Sequence, residues 1–282
     1  MSKSELNFEE LKSVIDYALI EDIGSGDITT NLLIPIDLQT KATMIAKSAG
    51  IIAGLDVAEY VFRTLSPDII WKVFVNDGAK VEKGDLILEI TGSYRALLTG
   101  ERLALNFLQR MSGIATMTAN FVNALSGYKT KILDTRKTVP GLRLLDKYAV
   151  MIGGGTNHRI GLYDMVLIKD NHIKVAGGIS KAVAQIKKSV PDGIKIEVET
   201  TTIEEVKEAL AAGVDVIMLD NMTNMSMADA VKIINGRAKV EASGNMTLER
   251  LKEVAATGVD YISIGALTHS VVAFDISMNI ES

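Results

Sequence analysis

Arg136, Lys137, His158, Arg159 and Lys169 are the residues whose types and spacing most plainly bear chemistry. They share one stretch, LDTRKTVPGLRLLDKYAVMIGGGTNHRIGLYDMVLIKDNH, from Leu133 to His172. Between Leu133 and Lys174 seven Lys/Arg stand against four acids, inside a chain of net charge -5. An arginine grips a carboxylate or phosphate with two parallel hydrogen bonds, and a lysine adds a point charge. Lys169 directly follows the apolar run Met165 to Ile168, so it is expected to be partly buried at a strand end. Packed cations need partners. The expected partner is a small, multiply negative molecule.

A second set is acidic. Glu199 ends the run KIEVET and Asp220 ends VIMLD, and both are expected at the same rim of a sheet. Carboxylates there can hold ribose hydroxyls, or a Mg²⁺ carried in by a phosphorylated substrate; the plainer alternative is a pair of buried acids satisfied by lysines. Ser243-Gly244-Asn245 and Gly265-Ala266-Leu267 each join a strand to a helix, where backbone amides can meet phosphate. His269 lies one turn beyond, within reach of the same anion.

The elements that position these residues alternate. From Lys131 onward the strands KILDT, VLIK, KIEVET, VIMLD, VEASG and YISIG are separated by helical segments near 142–152, 179–190, 202–212, 227–234 and 247–256. Glu199, Asp220, Ser243 and Gly265 follow one another at steps of 21, 23 and 22 residues, a spacing suited to βα units. Short connections of this kind predict a parallel sheet with right-handed crossovers. Six strand ends, each carrying a polar residue or glycine, favour an α/β barrel over a doubly wound sheet. Six strands are fewer than eight, so the barrel is expected to be incomplete. GGGTNH, residues 153–158, follows a helix rather than a strand and is not a dinucleotide fingerprint; its glycines end the helix.

The first part of the chain reads differently. A helix is expected from Phe8 to Glu21, ending in the glycine-punctuated loop EDIGSGDITT, whose Asp22 and Asp27 are turn residues before they are ligands. Residues 41–93 are mostly β, with a helix over 56–65. VNDGAKVEKGDLILEI resembles the hammerhead turn of biotinyl and lipoyl carrier domains, but Ile90-Thr91-Gly92-Ser93 offers no lysine to modify. A long helix follows from Tyr94 to Leu125, with breaks expected near Gly100 and Gly113. Glu101 and Arg102 near its start form either a solvated pair or, through Arg102, a donor to an anion.

Composition sets the outer bounds. At 282 residues, 48% apolar and 23% charged, the chain suits one large α/β unit or two domains. There is no cysteine, hence no disulfide framework and no thiolate chemistry. No apolar run approaches the ~18 residues that span a bilayer, and MSKSELNFEE lacks the apolar segment of a signal peptide, so a cytoplasmic, non-membrane protein is expected. The acidic balance argues against nucleic acid as a partner.

Taken together, EDIGSGDITT, ERLALNFLQRMSGIAT, LDTRKTVPGLRLLDKYAVMIGGGTNHRIGLYDMVLIKDNHI, IEVET, VIMLDNM, VEASGNM and YISIGALTHS resemble quinolinate phosphoribosyltransferase in family order, over nearly the whole chain. The resemblance implies an incomplete α/β barrel at 113–270, an N-terminal α+β open-faced sandwich at 1–112, and a C-terminal strand within 271–282 returning to that sandwich. It implies transfer of a phosphoribosyl group from phosphoribosyl pyrophosphate (PRPP) to quinolinate with loss of CO₂, a step of NAD biosynthesis. Arg102, Thr135, Arg136, Lys137, His158, Arg159 and Lys169 would bind quinolinate, with Arg102 supplied by the neighbour in a homodimer, or in a hexamer of such dimers. Glu199, Asp220, Ser243, Gly244, Asn245, Gly265, Ala266 and His269 would bind PRPP, and Glu199 and Asp220 its Mg²⁺. Lys137, Lys169, Glu199 and Asp220 would act in catalysis. A paralogue using nicotinate, and a lyase or aldolase with a Schiff base on Lys169, are the alternatives.

Overall fold

The structure, a computed structural model, describes residues 8–281. In chain order its elements are α1 (Phe8–Ile23), α2 (Ile28–Leu33), β1 (Gln39–Ala46), β2 (Gly50–Ile51), α3 (Leu55–Leu65), β3 (Ile70–Val73), β4 (Lys80–Val81), β5 (Leu86–Ser93) and α4 (Tyr94–Ala124). There follow β6 (Lys131–Leu133), α5 (Arg143–Ile152), β7 (Val166–Ile168), α6 (Asp170–Ala176), α7 (Ile179–Lys187), β8 (Ile196–Thr200) and α8 (Ile203–Ala211). The last are β9 (Val216–Asp220), α9 (Asn224–Ile234), β10 (Lys239–Ser243), α10 (Leu251–Ala256), β11 (Tyr261–Ser263), α11 (Ala266–His269) and β12 (Ile276–Ile280). Two compact units result: one holds the residues up to Ala119 with 138–154 and those from Thr268 on, the other 120–137 and 155–267.

The first unit contains a four-stranded antiparallel sheet in the order β12-β1-β5-β3, with β12 against β1 so that Met44 pairs with Met278. Alternate residues of β1, Ala42, Met44 and Ala46, are fully buried, as the period of two requires. Asp27 caps α2, its carboxylate accepting from Thr30 N–H at 2.9 Å and Thr30 Oγ1 at 2.6 Å, which gives this loop aspartate a structural role. α4 runs unbroken where breaks were expected. Gly113 is there for close approach: a Cβ on it would lie 2.2 Å from the Val272 carbonyl oxygen. One face of α4 instead stitches backbone: Ser112 Oγ accepts from Ala53 N–H at 3.0 Å, Thr116 Oγ1 from Ile51 N–H at 2.8 Å, and Gln109 Nε2 donates to Ile276 O at 2.9 Å.

The second unit is built on a six-stranded parallel sheet in the order β6-β11-β10-β9-β8-β7. β6 and β7 are its two edges, so the barrel is incomplete as expected. Val198, Ile217, Leu219, Ala242 and Ile262 are fully buried; each large apolar side chain so enclosed contributes roughly 1.5–3 kcal/mol. The helix starts are set by capping: Thr202 with Glu205 forms a capping box at α8, and Thr223 caps α9, which begins at Asn224 rather than Met227. α6 was not anticipated. It opens directly at the end of β7, because His172 Nδ1 accepts the Lys169 N–H at 3.0 Å, and it closes on Gly177 and Gly178, both at positive φ. Among the described residues no helix is long and apolar enough to cross a membrane.

Candidate active site

Strand register stacks the polar residues of the second unit in two layers. Paired residues of parallel strands point to the same face, and side chains repeat every second position. Met218 pairs with both Glu199 and Glu241, Asp220 pairs with Ser243, and Leu167 pairs with Glu197. Glu197 and Glu199, Asp220, Glu241 and Ser243, and beyond β7 Lys169, therefore share one face. Lys169, Glu199, Asp220 and Ser243 lie at the carboxyl ends of their strands, while Glu197 and Glu241 sit one step deeper.

The outer layer is open. Lys169 Nζ lies 3.4 Å from Glu199 Oε2, and the side chains are 51% and 16% exposed, so Lys169 is less buried than the sequence suggested. It stands as the first residue before α6, at the end of the edge strand β7. Asp220 is half-buried.

The cations near β6 are held by their own loops. Thr135 Oγ1 accepts the Lys137 N–H at 3.0 Å, fixing the turn that carries Arg136. Arg159 sits on an arm pinned at both ends: His158 N–H donates to Asp134 Oδ1 at 2.8 Å, and Asp164 accepts from the N–H groups of Ile160 and Gly161, each at 2.8 Å. The Arg159 guanidinium donates to Met165 O at 3.0 Å. Burial first, and the positive charge of Arg136 next, hold Arg159 below its ordinary range. Arg136 Nε is buried with no hydrogen-bond partner. Two guanidiniums that repel each other, one with an idle donor, form a cradle for an anion.

The deeper layer is closed. Glu197 and Glu241 are 0% and 1% exposed, and His158 Nε2 lies 3.0 Å from Glu197 Oε2 and 3.4 Å from Glu241 Oε2. Burial is the largest influence on His158 and acts downward, but hydrogen bonds and charges from the two acids outweigh it and leave the imidazole well above 6.5. Glu197 is raised as well, by burial and then by the neighbouring Glu241 charge. The Arg159 backbone nitrogen lies 2.7 Å from His158 Nδ1, while Nε2 faces the two acids. His158, a candidate for a substrate carboxylate, here has its Nε2 beside Glu197 and Glu241 and its backbone N–H on Asp134. Among the described residues these three side chains are the one grouping of three possible metal ligands, all ligand atoms lying within 4.8 Å of one another.

The remaining candidates fall on turns and in the first unit. Gly244 and Asn245, after β10, both have positive φ, and Gly265 and Ala266 connect β11 to α11. His269 is exposed, with Nδ1 2.7 Å from Ser270 Oγ. Arg102 is exposed on α4. Arg110, in the first unit, grips the fully buried Asp146 with two bonds of 2.9 and 2.8 Å and donates to Thr268 O at 3.2 Å, next to His269. Reading the sequence missed Glu197 and Glu241, although counting two positions back from Glu199 and Ser243 leads to both. It also missed Asn221.

An open α/β barrel whose strand ends carry an arginine cradle, half-buried carboxylates and glycine turns defines an enzyme for small anionic substrates. Sequence models of the quinolinate phosphoribosyl transferase N-terminal and C-terminal domains match residues 27–112 and 114–279, and the chain belongs to that family. It is 48% identical to the mitochondrial quinolinate phosphoribosyltransferase [decarboxylating] 2b of Nicotiana tabacum, over 97% of this chain and 83% of the tobacco protein. It is similar to the crystal structure of NadC from Streptococcus pyogenes, with a TM-score of 0.95, 44% identity and 98% of both chains covered. The nicotinate-nucleotide pyrophosphorylase of Francisella tularensis gives a TM-score of 0.95 at 42% identity, covering 100% of this chain and 99% of its own.

Proposed function

We infer that this chain is a decarboxylating quinolinate phosphoribosyltransferase, joining quinolinate to PRPP to give nicotinate mononucleotide, pyrophosphate and CO₂. The observation that carries the reading is the Arg136–Arg159 cradle, with Arg136 Nε buried and unpartnered and Arg159 depressed beside it. A second carboxylate on the pyridine ring is what such a cradle selects. Arg136, Arg159 and Lys169, with Thr135 and Lys137 adjacent, hold the two carboxylates, and His158 fixes the arm from behind. Holding both groups aims the pyridine nitrogen at the sugar, a positioning effect.

Glu199 and Asp220 fit Mg²⁺ as donors: both are carboxylates outside the sealed core, and Mg²⁺ is bound through one or two carboxylates plus substrate phosphates. They would hold the ion, which when bound neutralises pyrophosphate charge. The same two residues hold ribose hydroxyls and stabilise the positive charge that grows on the sugar as the C1′–O bond breaks toward pyrophosphate. The ring nitrogen's electron pair forms the new bond to C1′. The resulting pyridinium accepts the electron pair left when the C–C bond to the adjacent carboxylate breaks and CO₂ departs. A proton from Lys137 or Lys169 then replaces CO₂ on that carbon. Ser243, Gly244, Asn245, Gly265, Ala266 and His269 bind the phosphates.

The protein acts as a homodimer in the cytoplasm, with Arg102 reaching the neighbour's site. Ile28, Leu32, Leu33 and Ile36 are 73%, 80%, 73% and 70% exposed, a run of apolar side chains that a second copy would cover. Sedimentation distinguishes dimer from hexamer. Mixing Arg102→Ala with Arg136→Ala protein restores activity if Arg102 works across subunits. The function itself is tested by product analysis with quinolinate, PRPP and Mg²⁺, beside a parallel reaction with nicotinate. CO₂ and nicotinate mononucleotide from quinolinate alone are expected, and turnover of nicotinate instead would contradict the reading.

A further inference from the structure

We propose that Asn221 is a positioning residue that orients Asp220 and shapes the Gly244–Asn245 turn, so that one side chain aligns the two loops that grip the phosphoribosyl donor; this rests on the function inferred above. Asn221 follows β9 directly and has φ 54, a left-handed backbone that asparagine tolerates and most residues avoid. That backbone lets its N–H donate to Ser243 O at 3.0 Å, tying the end of β9 to the end of β10. The side chain then works in two directions. Nδ2 donates to Asp220 Oδ2 at 2.8 Å, and Oδ1 accepts from Asn245 Nδ2 at 3.3 Å. The amide cannot be reversed without setting its oxygen against the Asp220 carboxylate.

Two further observations show that the neighbours are built around this side chain. Gly244 has φ 96, and a Cβ there would lie 2.1 Å from Asn221 Oδ1. Arg250 donates to Gly244 O at 3.2 Å and to Met222 O at 3.0 Å, a second staple across the same two turns. With Oδ2 engaged by Asn221, the Asp220 carboxylate is fixed in rotation and its other oxygen is the one offered to the sugar or its ion. The same amide holds the Asn245 side chain and fills the space beside Gly244. A turn that serves only stability would not distinguish between the two substrates.

The test compares Asn221→Gly, which keeps the left-handed backbone and deletes the side chain, with Asn221→Asp, which keeps the shape and replaces the donor by an oxygen. Binding of PRPP with Mg²⁺ and of quinolinate alone is measured by calorimetry, alongside KM and kcat. Asn221→Gly is expected to weaken PRPP binding and raise its KM about tenfold, with quinolinate affinity unchanged and the melting temperature near wild type. Asn221→Asp is expected to lose more, since it opposes Asp220. Wild-type PRPP affinity in either folded variant overturns the proposal, as does an equal loss for both substrates. Failure of the wild-type enzyme to turn over quinolinate would instead sink the function, and the PRPP binding measurement would still judge Asn221.

Discussion

Two groups of charges share one face of the same sheet and differ in nearly every respect. His158, Glu197 and Glu241 are sealed, with side chains 8%, 0% and 2% exposed. Lys169 and Glu199, one step nearer the strand ends, meet at 3.4 Å with 51% and 16% exposed. The sealed cluster is held by the ion pairs of His158 with both acids, and removing one member strands the others in low dielectric. An open pair contributes little to stability, because solvent screens it. The inner group therefore holds the arm that carries Arg159, while the outer group and the arginine cradle remain available to ligands.

The comparison breaks most visibly at the inner histidine. His158→Ala leaves Glu197 and Glu241 facing each other without their shared donor, and a loss of about 4 kcal/mol in denaturant unfolding is expected. Arg136→Ala acts oppositely. It removes a cation that repels its neighbour, so stability should hold, while kcat/KM for quinolinate falls about 100-fold or more, as expected for truncating one partner of a buried charge pair.

A pH series sharpens the contrast. The folded His158 pKa, about 10, lies above the ordinary 6.5, so its contribution is fully present below pH 6.5 and fades as pH rises toward about 10. Melting temperature against pH should therefore decline more steeply over that window in wild type than in His158→Gln; parallel curves would show that the cluster does not hold the proton assigned to it. The smallest effect belongs to the outer pair. Glu199→Gln should change stability by less than about 1 kcal/mol, while raising KM for PRPP.

How far the sequence was legible follows the same division. The barrel, its open edge and the rim residues announced themselves through strand–helix alternation and through arginines and lysines at strand ends, where a charge has no structural reason to be. The sealed layer did not. Glu197 and His158 are far apart in the chain, and an acid inside a β run such as IEVET reads as an outward-facing residue unless the partner strands are known. Gly113 misled because a helical glycine signals a break locally, whereas here the cause is the Val272 carbonyl packed against it. α6 was hidden for a related reason: the group that starts it is a histidine side chain, and histidine is a poor capping signal. Asn221 is readable only with the β10 turn in place.

The most direct measurement is calorimetric titration of quinolinate and of nicotinate into wild-type enzyme and Arg136→Ala. If the open cradle serves a second carboxylate, wild type binds quinolinate far more tightly than nicotinate, and Arg136→Ala loses most of that difference while melting normally. Equal affinity of wild type for the two acids, or a difference that survives in Arg136→Ala, would contradict the assignment of the cradle.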